Sequence, residues 1–331
     1  MFGFIMRRVL LMIPTVLAVT LVTFGIIALY EHFNGDFVTQ LKFNPNITQE
    51  TIDRYAKNLG LDQPWYVRYG IWLKGIVTEG EFGYSFYKNQ PVGELVMNYL
   101  PITLLITLPT FVFIWLVSIP LGIFSSTHQY SVGDHSLTFL AFIGLSTPVF
   151  FSALVGLYLL VIWDYPAVGG IFSQQYIQGS PWPWHWSFAK FIDYLKHLWL
   201  PVLVIGGASV AGLMRVMRGT MLDIVSSQYV QTARAKGLSE RIVIYKHAVR
   251  NAINPMVSIF GQQLPILVSG SLLAAQVLNL PNLEIAYFRA LQPPDEYFVV
   301  TVITFFSLFL LIGNLIADIL LAWIDPRVRY D

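Results

Sequence analysis

The stretch "QTARAKGLSERIVIYKHAVRNAINP", residues 231–255, is a basic segment in a largely apolar chain. It is rich in Lys and Arg, holds a single acid, and is flanked on both sides by sequence apolar enough for a lipid bilayer. The composition agrees, because only 12% of the 331 residues are charged and 55% are hydrophobic, whereas a soluble domain carries about 25% charged residues. Lipid is therefore the expected solvent for most of this chain.

Several classes of chemistry are absent from the sequence. The chain has no cysteine, which excludes disulfides, thiolate metal sites and cysteine nucleophiles. The stretch "GIVTEG" at 75–80 is followed by Glu and Phe rather than Lys and Ser or Thr, so the chain lacks a phosphate-binding loop and is not expected to hydrolyse ATP. There is no H-E-x-x-H or G-x-S-x-G motif, and the six His are scattered. We expect no catalytic, cofactor-binding or metal site.

Charge-free stretches mark the candidate membrane spans, since a spanning helix needs about 20 apolar residues. The run that follows Arg7 and Arg8 is 22 residues long, and a cleavable signal has an apolar region of only about 7–15 residues. We therefore predict an all-α integral membrane protein. Its six transmembrane helices are expected near 9–30, 100–125, 136–163, 198–220, 256–280 and 298–323.

The predicted organisation has three parts. Residues 1–30 form an N-terminal transmembrane helix, residues 31–97 a small extracytoplasmic helical insertion, and residues 98–331 a core of five helices with a cytoplasmic loop at 221–255. The insertion has helix signals, because Thr48 can cap a helix that stops at Gly60, and "QPWYVRYGIWLKGIV" follows as a second helix.

The distribution of positive charge predicts the orientation. The short loops on one side hold only Lys190, Lys196 and Arg289. The other side carries seven Lys or Arg within 215–250 and two pairs near the termini, Arg7 with Arg8 and Arg327 with Arg329. Short cytoplasmic loops are the ones enriched in Lys and Arg. Both termini and the basic segment are therefore expected in the cytoplasm.

The basic segment is predicted to form two short helices. Residues 228–236 favour a helix that stops at Gly237, and Ser239 can cap a second helix with Glu240 in its first turn. That second helix is expected to end at Asn254–Pro255, where the next span begins. A helical wheel places five residues on its apolar face: Ile242, Tyr245, Val249, Ala252 and Ile253.

This shape favours a rigid segment that a soluble partner can bind and displace, so that the segment acts as a mechanical lever. The small residues Ala233, Ala235 and Gly237 permit close approach by such a partner. Three alternatives remain open from the pattern alone: a helix lying on anionic lipid, a solvated basic loop, and a nucleic-acid patch, which the flanking spans disfavour.

The segment resembles the cytoplasmic "EAA" loop of ABC importer permeases, and specifically that of the dipeptide/oligopeptide (nickel) permease family. That family's version runs close to "YVRTARAKGLSERxVxxxHALRNAxxP". The stretches "LGLDQPWYVRYGIWLKGIVTEGEFGYSF" (59–86) and "DPRVRY" (325–330) resemble the first permease subunit of the same family. There are departures: Gln231 replaces the motif's Glu, and "VLNLPNLEI" (277–285) has Leu280, Asn282 and Glu284 where the family has Trp and two Gly.

The resemblance implies an ABC importer permease fold and a set of partners. A second homologous permease subunit completes the pore, two cytoplasmic ATPase subunits each grip one coupling loop, and an extracellular binding protein delivers the cargo. ATP and Mg are bound by the ATPases and not by this chain, which sits in the lipid bilayer of a bacterial or archaeal plasma membrane without a nucleic-acid partner. The resemblance assigns the ATPase contact to Thr232, Ala233, Arg234, Ala235, Lys236, Gly237, Leu238, Ser239, Glu240, Arg241, His247 and Arg250.

Two features bear on the cargo and its path. Peptides are the expected cargo, and oligosaccharides are the alternative because family relatives resemble sugar systems. The Trp-rich loop at 181–188 suits the stacking of sugar rings, but it also suits a belt of aromatic residues at the membrane interface. Polar residues within spans are candidates for the pathway or for interhelical hydrogen bonds. These residues are Ser146, Thr147, Gln262, Gln263, Asn314 and Asp318.

Two alternatives from other classes of membrane protein lack the residues they need. A membrane subunit of a redox-driven proton pump would need chains of buried acids and lysines across several spans, which this sequence lacks. An intramembrane enzyme would need a Ser/His or paired-Asp constellation, which is also missing.

Overall fold

A computed structural model describes residues 2–35, 39, 48–58, 62–85, 88–177, 186–269, 272–292 and 294–324. Within these ranges the chain is helical apart from turns and one two-stranded antiparallel ribbon. The elements are α1 (Phe2–Asn34), α2 (Gln49–Asn58), α3 (Trp65–Glu79), β1 (Tyr84–Ser85), β2 (Gln90–Pro91), α4 (Val92–Thr127), α5 (Val132–Ser146), α6 (Val149–Ile162), α7 (Gln174–Ile177), α8 (Phe188–Val225), α9 (Gln228–Ala235), α10 (Glu240–Ile242), a π-helical turn (Val243–Ala248), α11 (Val249–Ser269), α12 (Leu272–Val277), α13 (Leu283–Arg289) and α14 (Glu296–Ile324).

Four helices in the described part of the chain are long and apolar enough to cross a membrane. The bent pair α5 and α6 supplies a fifth if it is counted as one broken span. These helices confirm an all-helical membrane protein with four or five candidate spans. The four are Ile5–Asn34, Val92–Thr127, Phe188–Val225 and Glu296–Trp323.

The helix that covers most of the predicted fifth span is not among these. It is α11, which has 21 residues. Amide side chains within it, including Gln262 and Gln263, make it more polar than the four helices above.

The predicted third span, 136–163, is wrong as a single helix. The chain bends by 106° between α5 and α6, at the sequence Ser146–Thr147–Pro148. Thr147 is extended, with φ −91° and ψ 124°, because the ring of a following proline disfavours helical geometry at the preceding residue. Two helices of 15 and 14 residues result.

The long helices extend well beyond the predicted apolar spans. α4 begins at Val92 and α8 begins at Phe188, and α8 runs for 38 residues. Backbone hydrogen bonding continues past the charged residues that limited the predicted boundaries. Pro201 lies within α8, where neighbouring helices can satisfy the carbonyl that the proline leaves without a donor.

The described residues form two compact units. One comprises residues 104–280 with the two terminal stretches 2–6 and 310–324, and the other comprises residues 7–103 and 281–309. The basic segment and all six predicted pathway residues belong to the first unit. The predicted division at residues 30 and 97 stays a prediction.

The second unit contains both helices predicted between residues 48 and 79. α3 ends at Gly80, whose φ of +71° is the left-handed geometry that favours glycine; the predicted stop at Gly60 lies outside the described residues. The core of this unit is apolar. It includes Phe24, Trp72, Val92, Leu283 and Val300.

A buried ion-pair network ties three parts of the second unit together. Arg68 of α3 donates to Glu31 of α1 over 2.7 Å and lies 3.0 Å from a carboxylate oxygen of Glu296, at the start of α14. All three side chains are at most 10% exposed. Burial opposes the positive charge of Arg68, but the attraction of the two carboxylates outweighs it, so the pKa of Arg68 is raised.

Candidate functional site

The basic segment begins with a helix that stops at a glycine, as predicted. α9 runs from Gln228 to Ala235, and Lys236 occupies its C-cap. Gly237 follows with φ +75°, a left-handed geometry that most residues with a side chain adopt only under strain. The prediction of Gly237 as the helix stop is confirmed.

An ion pair spans the turn at Gly237. Arg234 donates to both carboxylate oxygens of Glu240, from Nε over 3.1 Å and from Nη2 over 2.6 Å. The hydrogen bonds from Arg234 lower the pKa of Glu240. Ser239 occupies the N-cap position of α10 but makes no capping hydrogen bond with its side chain. The bidentate pair therefore links the two helices across the turn.

The second helix differs from its predicted form in two ways. It contains a π-helical turn from Val243 to Ala248, and it does not end at Asn254–Pro255, because α11 continues through Pro255 to Ser269. Pro255 removes one backbone donor, which a packed membrane helix tolerates. The second helix of the segment and the following apolar helix are thus one continuous rod.

The π turn changes which side chains are buried. Its wider turn shifts the helical register, so Val243 and Ala248 are fully buried, whereas Ile242 and Tyr245 are 43% and 60% exposed. The predicted apolar face is therefore correct at Ala252, which is fully buried, and wrong at Ile242 and Tyr245.

The first helix packs against the rest of the segment. Val230 and Ala233 are buried, and Asn251 of α11 donates to the hydroxyl of Tyr229 over 2.9 Å. Ala233 therefore faces the body of this chain. Of the three small residues expected to admit a partner, only Ala235 and Gly237 are exposed.

The outer surface of the segment, which we call the exposed face of 228–250, is both apolar and basic. Four large apolar side chains on it are at least 38% exposed: Tyr229, Leu238, Ile242 and Tyr245. An open surface pocket of about 540 Å³ is lined by Arg241, Ile242, Tyr245 and Lys246.

Most residues predicted to contact an ATPase lie on this face. Arg234 and His247 are half-buried, and the others apart from Ala233 are exposed. The exposed ones are Thr232, Ala235, Lys236, Gly237, Leu238, Ser239, Glu240, Arg241 and Arg250.

The candidate pathway residues fall into two groups. Asn314 of α14 packs on Gly261 of α11, beside Gln262 and Gln263: a Cβ built on Gly261 would lie 2.7 Å from the Cα of Asn314. Gln262 is exposed, whereas Gln263 is half-buried, and its buried Oε1 has no hydrogen-bond partner among the described residues. Asp318 lies one turn further along α14 and is half-buried.

The second group lies at the bend between α5 and α6. The Ser146 hydroxyl donates to the carbonyl of Ile143 over 3.2 Å, and Thr147 is half-buried. Within the described ranges, no hydrogen bond joins these two residues to the α11–α14 group.

Sequence reasoning missed the crossing of α11 and α14. A Cβ on Gly313 would lie 2.7 Å from the carbonyl oxygen of Gly261, so the two backbones touch where both helices carry glycine. Small residues permit such contact between membrane helices. The available signal was a glycine inside each apolar stretch.

Comparison with known proteins identifies the class. Residues 118–330 match the family described as binding-protein-dependent transport system inner membrane component, and residues 1–107 match the N-terminal component of the same systems. An oligopeptide transport system permease protein of Bacillus subtilis is 35% identical over 334 residues, covering all of both chains. The chain belongs to this family of transport-system membrane components.

Dipeptide transport system permease proteins are also similar over the full length. The one from Escherichia coli K12 is 30% identical over all of this chain and 99% of its own length, and the one from Alkalihalophilus pseudofirmus is 30% identical over all of both. The resemblance to the dipeptide/oligopeptide importer permeases is confirmed. The chain is a membrane permease, which removes the proton-pump and intramembrane-enzyme alternatives.

Proposed function

We propose that this chain forms half of the translocation pore of an ATP-driven peptide importer and is moved by ATPases that bind its exposed face of 228–250. The observation that carries the proposal is the geometry of residues 228–250, which we call the lever. Four exposed apolar side chains and an open basic pocket lie on a pair of short helices. The ion pair Arg234–Glu240 links the two helices across their turn, and the second helix continues into α11.

The geometry supports motion as a unit. α9 follows α8 after two residues, and the π turn runs directly into α11. A partner that displaces the segment therefore pulls on two long helices together, which is a rigid-body switch between pore states. ATP and Mg belong to two cytoplasmic ATPase subunits, and their closure supplies the displacement.

The proposed topology has six spans. They are α1, α4, the bent pair α5–α6, α8, α11 with α12, and α14. An even number places both termini on one side, and the concentration of Lys and Arg at the termini and in 215–250 supports the cytoplasm. The membrane is a bacterial or archaeal plasma membrane, and residues 31–97 lie outside it as a helical insertion.

The proposed pathway contains two groups of polar residues. Gln262, Gln263, Asn314 and Asp318 lie along α11 and α14 near their crossing, and Ser146 with Thr147 lies at the α5–α6 bend. A second homologous permease subunit supplies the facing half of the pore, and an extracellular binding protein delivers the cargo.

Peptides are the proposed cargo. Full-length relatives are named for oligopeptide and dipeptide transport, which favours peptides over the oligosaccharide alternative. Of the Trp-rich loop at 181–188, which motivated that alternative, only residues 186–188 are described. Trp186 packs against Phe172, Phe191 and Tyr194, and this side chain is therefore engaged within the chain.

The test compares two equally exposed tyrosines in the full complex. Tyr245 on the exposed face of 228–250 is 60% exposed, and Tyr66 on α3 is 62% exposed. We expect Tyr245→Asp to release the ATPases during purification in nanodiscs and to stop ATP-dependent uptake of labelled peptide, while Tyr66→Asp retains the ATPases. Equal ATPase retention by both variants would contradict the assignment.

A further inference from the structure

Asp134 is the centre of a buried polar junction outside the lever. Its carboxylate accepts hydrogen bonds from the Ser125 hydroxyl, from the backbone N–H of Tyr130 over 3.0 Å, and from Arg218 Nε and Nη2 over 2.9 Å each. Because a carboxylate has about four acceptor positions, these four bonds use its full capacity. The Asp134 side chain is only 3% exposed.

The junction joins three helices and one turn. Ser125 lies near the end of α4, Tyr130 in the turn that follows, Asp134 in the first turn of α5, and Arg218 in α8. The Ser131 hydroxyl accepts from the N–H of Asp134 over 3.1 Å, so the same aspartate takes part in capping α5. Bidentate pairing with Arg218 fixes both the distance and the orientation of α8 relative to this cap.

Close packing surrounds the junction. A Cβ on Gly122 of α4 would lie 2.6 Å from the Cβ of Met217 in α8, so these two helices touch one turn from the ion pair. The Arg215 guanidinium of α8 lies 4.8 Å from the ring centre of Phe142 in α5. The contact between α5 and α8 therefore extends beyond the salt bridge and resists sliding of one helix against the other.

The junction lies between the lever and the helix bend. Arg218 is seven residues before the end of α8 at Val225, and α9 begins at Gln228. In the other direction Thr147, at the 106° bend, lies 13 residues after Asp134, about 20 Å at 1.5 Å per residue. A displacement of α9 therefore reaches Arg218 before it reaches the part of α8 that precedes Arg218.

We propose that Arg218–Asp134 transmits the displacement of the lever to α5 and to the α5–α6 bend. This inference rests on the proposed function of segment 228–250, because the ATPases supply the displacement. Arg218 and Asp134 are positioning residues: they bind neither ATPase nor cargo, and they make α5 move with α8. Without the pair, ATP hydrolysis continues while the bend no longer follows the lever.

The first experiment separates ATPase binding from coupling. Asp134→Asn and Arg218→Lys are made in the assembled importer, with Asp223→Asn as the control because Asp223 is an exposed acid on the same α8. We expect both junction variants to retain the ATPases and hydrolyse ATP, but to carry about 3- to 30-fold fewer peptides per ATP, the range for residues that modulate coupling. The control keeps its peptide-to-ATP ratio.

The outcomes distinguish this inference from the proposed function. An unchanged peptide-to-ATP ratio in both junction variants overturns the inference and leaves the proposed function standing, whereas ATPase retention by Tyr245→Asp would overturn the proposed function on which the inference rests.

A second measurement keeps the native junction intact. Spin labels at Phe139→Cys on α5 and Leu203→Cys on α8 use exposed positions in a chain without native cysteine. We expect the distance between the labels to stay constant when ATP is added. A change in that distance with an intact Arg218–Asp134 pair overturns the inference even if the junction variants fail to assemble.

Discussion

Arg234 and Glu240 close the turn at Gly237 with two hydrogen bonds, of 3.1 and 2.6 Å. The Arg234 side chain is 32% exposed and that of Glu240 is 55% exposed, so water screens the pair and its contribution to stability is modest. Its main consequence is geometric, because it fixes the angle between α9 and the rod formed by the π turn and α11. The exposed face of 228–250 depends on that angle.

Replacing Gly237 tests whether the left-handed turn is needed. A Cβ at this position meets no atom within 4 Å, so Gly237→Val strains only the backbone, by about 1–2 kcal/mol. Gly237→Asn is the matched control, since Asn tolerates this geometry. We expect ATPase affinity to fall about 5- to 30-fold for Val and to change little for Asn. Equal affinities would contradict a requirement for the turn.

The pH dependence of the turn follows from Glu240. Its pKa is lowered in the folded protein, so the stabilisation is present above its ordinary pKa of about 4.3 and is lost as the pH falls through the lower folded value. We expect Glu240→Gln to speed amide hydrogen exchange in 228–250 about 1.5- to 5-fold at pH 7.

At a pH below the folded pKa of Glu240, the exchange rates of the variant and the original chain should converge. Asp223→Asn, which alters an exposed acid on α8, controls for general charge effects. A difference that persists at acidic pH would show that the glutamine acts through something other than the ion pair.

Local signals predicted part of this protein well. Charge-free runs located α1, α4, α8 and α14, because burial in lipid depends on the composition of each stretch. Gly237 was identified because a helix stop with positive φ favours glycine within a few residues of sequence. The basic segment was recognised from the same local chemistry, together with its resemblance to one family's motif.

Other features depend on contacts that no local pattern encodes. Arg218 and Asp134 are 84 residues apart, and Gly261 touches Gly313 only after α11 and α14 have folded against each other. The π turn at 243–248 shifts the register by its wider winding, so a regular helical wheel misplaced Ile242 and Tyr245. Proline at 148 disfavours helical geometry at Thr147, but it does not encode the 106° angle of the bend.

The crossing of α11 and α14 predicts a specific intolerance. A side chain on Gly313 would meet the backbone carbonyl of Gly261 at 2.7 Å, and backbone cannot move aside as a flexible side chain does. We expect Gly313→Val to destabilise the chain by about 1–3 kcal/mol, measured as a lower melting temperature in detergent. Gly212→Val in α8 is the control, because a Cβ there meets nothing within 4 Å. Equal melting temperatures would exclude a tight crossing.

The buried network around Arg68 predicts a large loss on removal of its cation. Arg68→Met leaves Glu31 and the fully buried Glu296 without their shared partner, and breaking a buried pair costs about 3–5 kcal/mol. Lys74→Met changes an exposed lysine on the same α3 and should leave the melting temperature nearly unchanged. If the two variants have the same melting temperature, the ion-pair network does not stabilise the contacts among α1, α3 and α14.

Site-directed crosslinking at Leu238 tests directly whether an ATPase subunit binds the exposed face of 228–250. The chain has no native cysteine, so Leu238→Cys, at a side chain 38% exposed beside the Gly237 turn, can carry a single photoreactive probe in the assembled complex. We expect a covalent product with an ATPase subunit, whereas the same probe at Tyr66→Cys on α3 gives none. A probe at Leu238 that labels only lipid or water, in a complex that contains the ATPases and transports peptide, would show that the ATPases do not bind the exposed face of 228–250.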